Sequence, residues 1–217
     1  MPNTMKHRGL SKERIIAAAL RFVDKYGAES LTMRKLGAEL GVEAMALYRY
    51  FLNKESLLHG VLDDLLVSMV GSPQAKADWR SEVLRFSRSF RRLASEHPSF
   101  FSLLMTGHDP SPKVRAVFES SQTLWQSAGF NPELAAMAKA VVGGYVCGAT
   151  MWETTVMSNP EMLDRMKRWN KLSKHEQKMT DKKQRERLFE FGLNLILDGL
   201  ERELKTRALR LSLIKHS

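Results

Sequence analysis

Residues 32–54 read Thr-Met-Arg-Lys-Leu-Gly-Ala-Glu-Leu-Gly-Val-Glu-Ala-Met-Ala-Leu-Tyr-Arg-Tyr-Phe-Leu-Asn-Lys. Leu36 and Leu40 lie four apart, as on one face of a helix, and Val42, Leu47 and Phe51 continue the apolar side after a break. Gly41 falls at the break, where a left-handed backbone costs other residues about 1–2 kcal/mol and costs Gly nothing. Gly37 falls where two such helices would cross, and its missing side chain permits close approach. The spacing predicts a helix-turn-helix over about 32–51. The outer face of its second helix carries Ala44, Met45, Ala46, Tyr48, Arg49 and Tyr50. A merely solvated face would be filled with Lys, Glu and Gln. Short side chains let a helix approach base edges, and Tyr hydroxyls and an Arg guanidinium can bond phosphates or bases.

The flanks agree. Ser11 is an N-cap candidate with Glu13 in the first turn that follows. Ile16, Leu20 and Val23 form one row of that helix, with Ile15, Ala19, Phe22 and Tyr26 beside it, and Gly27 ends it. Asn53 can cap a further helix whose apolar face is Leu57, Leu58, Val61, Leu62, Leu65 and Leu66. Three helices and a connector fit a head of roughly 60 residues. The expected organisation is therefore a helix-turn-helix DNA-binding domain over 1–60 and a helical body over 61–217.

The stretches 10–20, 31–42 and 47–58 resemble the N-terminal domain of the tetracycline-repressor (TetR) family. Residues 189–205, Phe-Glu-Phe-Gly-Leu-Asn-Leu-Ile-Leu-Asp-Gly-Leu-Glu-Arg-Glu-Leu-Lys, are similar to the last dimerisation helix of that family's tetracycline-repressor subgroup. Residues 129–134 and 142–148 are similar more loosely. The resemblance implies an all-α regulator, a homodimer that represses from a palindromic double-stranded DNA operator and is released by a small-molecule effector. By the same resemblance Arg34 stands at a base-reading position, and Thr32, Tyr48 and Lys54 stand at phosphate anchors. Ala44, Met45, Ala46, Arg49 and Tyr50 then occupy the base-facing part of the reading helix. The tetracycline repressor has a polar Gln-Pro-Thr run where this chain has Ala-Met-Ala, which implies a different operator. Lys6 and Arg8 precede the first helix, where they could reach the backbone or minor groove or belong to a loose tail.

In the body, Trp79 to Glu96, Lys113 to Ser127, Pro132 to about Val156 and Arg187 to Leu211 read as helices, with a short apolar segment from Phe100 to Met105. Val83, Phe86, Phe90 and Leu93 form the buried side of the first. No β-alternating run appears, so the fold class is all-α. The helices at 132–156 and 187–211 carry more apolar surface than one chain of this size covers, which marks an interface. Phe86, Phe90, Phe101, Leu104, Met105, Trp125, Met137, Tyr145, Met151 and Trp152 supply either plain core or the wall of a pocket for a largely apolar effector. The resemblance would put a metal-contacting His where Leu104 stands, so a magnesium–tetracycline ligand is not implied. His97 and His108 lack metal-ligand spacing. No metal or cofactor is expected.

Net charge is +10, but its distribution matters more. Residues 1–60 carry 10 basic against 6 acidic side chains, 61–164 carry 9 against 11, and 165–217 carry 15 against 7. Most of the excess lies far from the reading helix, in a polar segment over 165–187 that reads as a solvated linker or partly ordered helix. A single Cys, Cys147, excludes an internal disulfide and suits a reducing cytosol. The N-terminus lacks a signal-like apolar run, and the apolar stretch 134–152 is interrupted by Lys139, so a cytoplasmic protein with no membrane span is expected. Phosphate-binding Gly-rich loops, HExxH and Gly-x-Ser-x-Gly are absent, so no enzymatic activity is expected. An activator or constitutive DNA binder without effector stays open as an alternative, and a helical enzyme or carrier more remotely.

Overall fold

The computed structural model describes residues 9–70, 78–105, 110–156, 159–169 and 181–214. Among them the regular structure is helical throughout and no strand occurs, as the periodicity predicts. The chain divides into two compact units, Met1–Met69 with Glu96–Arg115, and Val70–Ser95 with Ala116–Ser217.

The first unit contains α1 (Lys12–Tyr26), a 3-10 turn (Ala28–Ser30), α2 (Met33–Leu40), α3 (Ala44–Tyr48), α4 (Lys54–Val70) and α6 (Pro98–Met105). The expected caps are in place. Ser11 Oγ accepts from Arg14 N–H at 3.2 Å, and Gly27, at φ 81°, donates its N–H to the Val23 carbonyl at 2.8 Å. Asn53 Oδ1 accepts from Ser56 N–H at 2.7 Å while Ser56 Oγ accepts from Asn53 N–H at 3.1 Å, a reciprocal box that starts α4. The core is Ile15, Ala18, Ala19, Phe22 and Val23 of α1 with Leu31, Leu36, Leu47, Phe51, Leu57, Val61 and Leu62. The buried stripe of α1 thus runs through Ile15 and Ala18, while Ile16 and Leu20 are half-buried and Tyr26 is exposed. The apolar pattern here is wider than one stripe, and packing selects its centre. The expected boundary at residue 60 falls inside α4, which runs unbroken from Lys54 to Val70.

The second unit contains α5 (Trp79–Glu96), most of α7 (Pro112–Ser127), α8 (Pro132–Met151), α9 (Pro160–Trp169) and α10 (Lys182–Ile214). α5 has the bounds read from the sequence, although Phe86 is only half-buried. Trp125 and Phe130 meet edge to face at 4.8 Å between ring centres, and Trp79 lies 5.2 Å from Phe130. That cluster pins the start of α5 to the α7–α8 corner. α8 and α10 lie against each other, and Gly192 makes room for Tyr145: a Cβ there would stand 2.6 Å from the ring carbon Cζ. The Tyr145 hydroxyl donates to the Phe189 carbonyl at 3.0 Å. Gly143, Gly144 and Gly148, expected at a close contact, face open space within the chain.

The polar stretch after α8 holds more helix than its charge suggests. The backbone first widens into a π-helical turn, Trp152–Val156. Asn159 Oδ1 then accepts from Glu161 N–H at 3.0 Å and starts α9, with Pro160 in its first position. Asp181 Oδ2 accepts from Lys183 N–H at 3.0 Å and starts α10, which therefore begins earlier than the apolar run. Residues 170–180 of the basic segment, with Lys6, Arg8 and His108, lie outside the described residues.

Candidate nucleic-acid interface

The candidate interface is built on the α2–α3 corner. Thr32 Oγ1 caps α2 by accepting from Lys35 N–H at 3.2 Å, which leaves its own O–H free to donate outward. α2 ends at Gly41, whose φ of 71° lies in the left-handed region, and Val42 N–H returns to the Gly37 carbonyl at 2.9 Å. At Gly37 a Cβ would stand 2.7 Å from Val42 O and 3.3 Å from Ala44 N. The two helices therefore touch through main chain, and the two glycines set their angle. Leu47 is fully buried beneath α3, and Phe51 is buried just after it.

Opposite Leu47, Met45, Tyr48 and Arg49 share the outer face of α3 at i, i+3 and i+4 spacing. Met45 is 74% exposed and Tyr48 45% exposed. Ala44 and Ala46 are half-buried at the margins. Arg34 is exposed on α2, and neither it nor Arg49 has an ion-pair partner among the described residues. Lys54 Nζ leans on the Glu29 carbonyl at 3.4 Å, a weak contact that a phosphate oxygen could replace.

Tyr50 departs from its expected role. Its hydroxyl donates to the Leu10 carbonyl at 2.6 Å, across forty positions of sequence, and ties the entry of α1 to the end of the helix-turn-helix. A Tyr at the edge of a reading helix looks the same in sequence whether it faces outward or back, so the periodicity does not separate the two. A second contact absent from the sequence reading joins α1 to α6: His97 Nδ1 lies 2.9 and 3.0 Å from the two Asp24 carboxylate oxygens.

The ten residues expected around an effector divide between the two compact units. Phe101, Leu104 and Met105 belong to the first compact unit and the other seven to the second. Phe90, Phe101 and Trp125 are core. Met137 and Met151 are 46 and 50% exposed on α8, beside an exposed Val141, and Trp152 is 47% exposed in the turn that follows. Leu188, Phe191 and Leu195 make a matching exposed stripe on α10. Hydropathy alone does not separate the two faces of α8, of which Leu134, Ala135, Ala138, Val142, Val146 and Thr150 are buried. By length and composition Pro132–Thr155 could cross a membrane, with a third of its most apolar window buried in this chain.

Polar groups in the second unit are mostly paired. Arg91 grips Glu153 with two hydrogen bonds of 2.7 and 2.9 Å, and Arg185 approaches the same carboxylate at 3.4 Å. Arg88 grips Glu190 likewise at 2.7 and 2.8 Å, and that guanidinium holds the Glu190 carboxyl below the usual range. Burial pushes the Cys147 thiol up, which keeps it protonated and weakly nucleophilic at neutral pH. Ser87 Oγ and Thr150 Oγ1 are different: both residues are fully buried, and neither hydroxyl has a hydrogen-bond partner among the described residues.

Most of the described chain is similar to known proteins. The family described as "Bacterial regulatory proteins, tetR family" matches residues 15–61, and "Tetracyclin repressor-like, C-terminal domain" matches residues 72–204. An HTH-type transcriptional regulator of Saccharopolyspora erythraea is 28% identical over 145 residues, covering 67% of this chain and 61% of that protein. The class A tetracycline repressor from transposon 1721 in Escherichia coli is 30% identical over 146 residues, 66% of this chain and 67% of that one. The chain thus spans less than two thirds of the first of these relatives. Among solved structures, Streptomyces coelicolor ActR in complex with actinorhodin superposes with a TM-score of 0.70 at 25% identity, covering 90% of this chain and 99% of that one.

Proposed function

This chain belongs to the tetracycline-repressor family of bacterial regulators, and on that premise we propose that it is a sequence-specific DNA-binding transcriptional repressor. It works as a homodimer in the cytoplasm and is released from a palindromic operator by a small-molecule effector. The observation that carries the reading is the outer face of α3. Met45, Tyr48 and Arg49 stand out from a helix locked to α2 through main chain, with Arg34, Thr32 and Lys54 flanking them. Arg34 takes a guanine edge, the outward O–H of Thr32 and the Tyr48 hydroxyl and Lys54 ammonium hold phosphates, and Ala44, Met45, Ala46 and Arg49 face bases. Tyr50 is reassigned to bracing α1.

The exposed stripes on α8 and α10 support pairing of two copies, with Gly143, Gly144 and Gly148 free to admit another backbone. A twofold pair presents its two reading helices to half-sites about 34–36 Å apart. The unpartnered Ser87 and Thr150 hydroxyls support an effector contact inside the second unit, because a buried hydroxyl without a partner costs about 1–3 kcal/mol. An effector that prefers the released shape by ~2–3 kcal/mol would weaken operator binding some 30- to 150-fold. The test is selection of bound sequences from a random duplex pool. Enrichment of a twofold-symmetric site supports dimeric reading, and absence of any enriched sequence at physiological salt refutes it.

A further inference from the structure

The outer face of α3 is chemically lopsided. Its donors, Tyr48 and Arg49, stand at the C-terminal end, and after the exposed N-cap Glu43 the first helical residues, Ala44, Met45 and Ala46, carry only hydrocarbon and a thioether. Recognition helices touch base edges chiefly through their N-terminal residues. Here Ala44 and Ala46 are half-buried, so among the first helical residues the side chain that projects is Met45, 74% exposed and far longer than the alanines beside it. A Met thioether forms no strong hydrogen bond with any base edge. In the major groove the apolar feature that distinguishes one base pair from another is the C5 methyl of thymine.

Resting on the reading of α3 as the helix that enters the groove, we propose that Met45 is a specificity-determining residue that selects a thymine in each half-site by packing on its C5 methyl. The exposed cations Arg34 and Arg49 supply the charge that brings a polyanion to this face, and the half-buried alanines let the helix sit deep enough for Met45 to reach the base edge. Met suits the task because its unbranched side chain can follow the methyl through several rotamers. A Gln in place of Met45 would instead offer the bidentate donor–acceptor pair that fits adenine.

The experiment uses the full chain and a duplex obtained by selection. Each half-site thymine is replaced in turn by deoxyuridine, which removes one methyl and leaves the hydrogen-bonding edge unchanged. Burial of one such carbon corresponds to about fourfold in affinity, or about fifteenfold when both half-sites change together. We expect one thymine per half-site to show that loss with the parent protein and to show none with Met45→Ala, whose own affinity falls to match the uridine duplex. Met45→Gln should move the preferred base at that position toward adenine on reselection. If every thymine tolerates uridine, or if Met45→Ala keeps the full discrimination, the proposal is overturned while selective operator binding stands. Failure to enrich any sequence would instead refute the DNA-binding reading beneath it.

Discussion

Replacing Gly37 with Ala separates packing from propensity in the helix-turn-helix. At a free mid-helix position Ala is the better residue by about 0.8–1.0 kcal/mol. At Gly37 the added Cβ would stand 2.7 Å from Val42 O and 3.3 Å from Ala44 N, both main-chain atoms. A carbon sits comfortably about 3.3 Å or more from a carbonyl oxygen, so the overlap is roughly 0.6 Å, and no side chain can rotate to relieve it. Overfilling a packed contact costs ~1–3 kcal/mol. A backbone overlap belongs at the upper end of that range, which leaves a net loss of about 2 kcal/mol after the gain in propensity. At roughly 2–4 °C per kcal/mol for a chain of this size, melting should fall by about 4–8 °C.

Relief of the clash must push the start of α3 away from α2, so operator affinity should fall further than partial unfolding explains. The measurement is a thermal melt paired with fluorescence anisotropy on a labelled operator at a temperature where the variant is folded. Gly41→Ala is the companion, since there the space is open and the cost, about 1–2 kcal/mol, comes from φ alone. Gly41→Asn should recover part of it, and no residue larger than Gly should be neutral at 37. A Gly37→Ala protein that melts at or above the parent, with unchanged operator affinity, would refute the reasoning.

Tyr50→Phe removes the bond to the Leu10 carbonyl and should lower stability by about 0.5–1.5 kcal/mol in urea melts, whereas Tyr48→Phe should leave stability unchanged and weaken operator binding. Glu190 is held below the usual carboxylate range by Arg88, so the pair's contribution is present above that range and is lost as pH falls through the lowered value. Both side chains are more than a third exposed, so screening limits the effect to about 0.2–1 kcal/mol. Glu190→Gln should flatten the acid limb of the unfolding free energy from urea melts, below the ordinary Glu pKa of about 4.3, by up to that amount. Ser87→Ala removes a buried hydroxyl that has no partner among the described residues, so without effector it should stabilise the protein by up to ~1–2 kcal/mol. With a released-state effector in hand, the same variant should need more of it, and a Ser87→Ala protein less stable than the parent would show that the hydroxyl is already satisfied.

The head was legible because its determinants are local. Ser11, Thr32, Gly41 and Asn53 each act on the three or four residues that follow or precede them, and Gly37 and Leu47 act across a single turn. Caps and left-handed glycines depend on backbone geometry that neighbours in sequence decide, so a short window holds the information. The same grammar was present at Asn159-Pro160-Glu161 and at Asp181, and there the high charge of the surrounding stretch hid it. Charge describes how a segment meets water, and a helix that is polar on most sides is still a helix once its first turn is capped.

The body was less legible because its decisive facts are nonlocal. Met137 and Val142 are both apolar residues of one apolar helix, yet the first is 46% exposed and the second 7%. A surface that covers the rest of a core and a surface left for a partner use the same side chains, and periodicity shows only that a face is apolar. Which neighbour covers it depends on where α10 lies, hence on the Tyr145–Gly192 fit and the bonds from Arg80 to Asn194 and Asp198, each spanning dozens of residues. The ten aromatic and Met residues expected around an effector divide between the two compact units. Reading a pocket from sequence requires knowing which apolar faces are left uncovered after every helix has been placed. Reading a groove-binding face requires only that one short helix show an odd surface on the side opposite its buried Leu47.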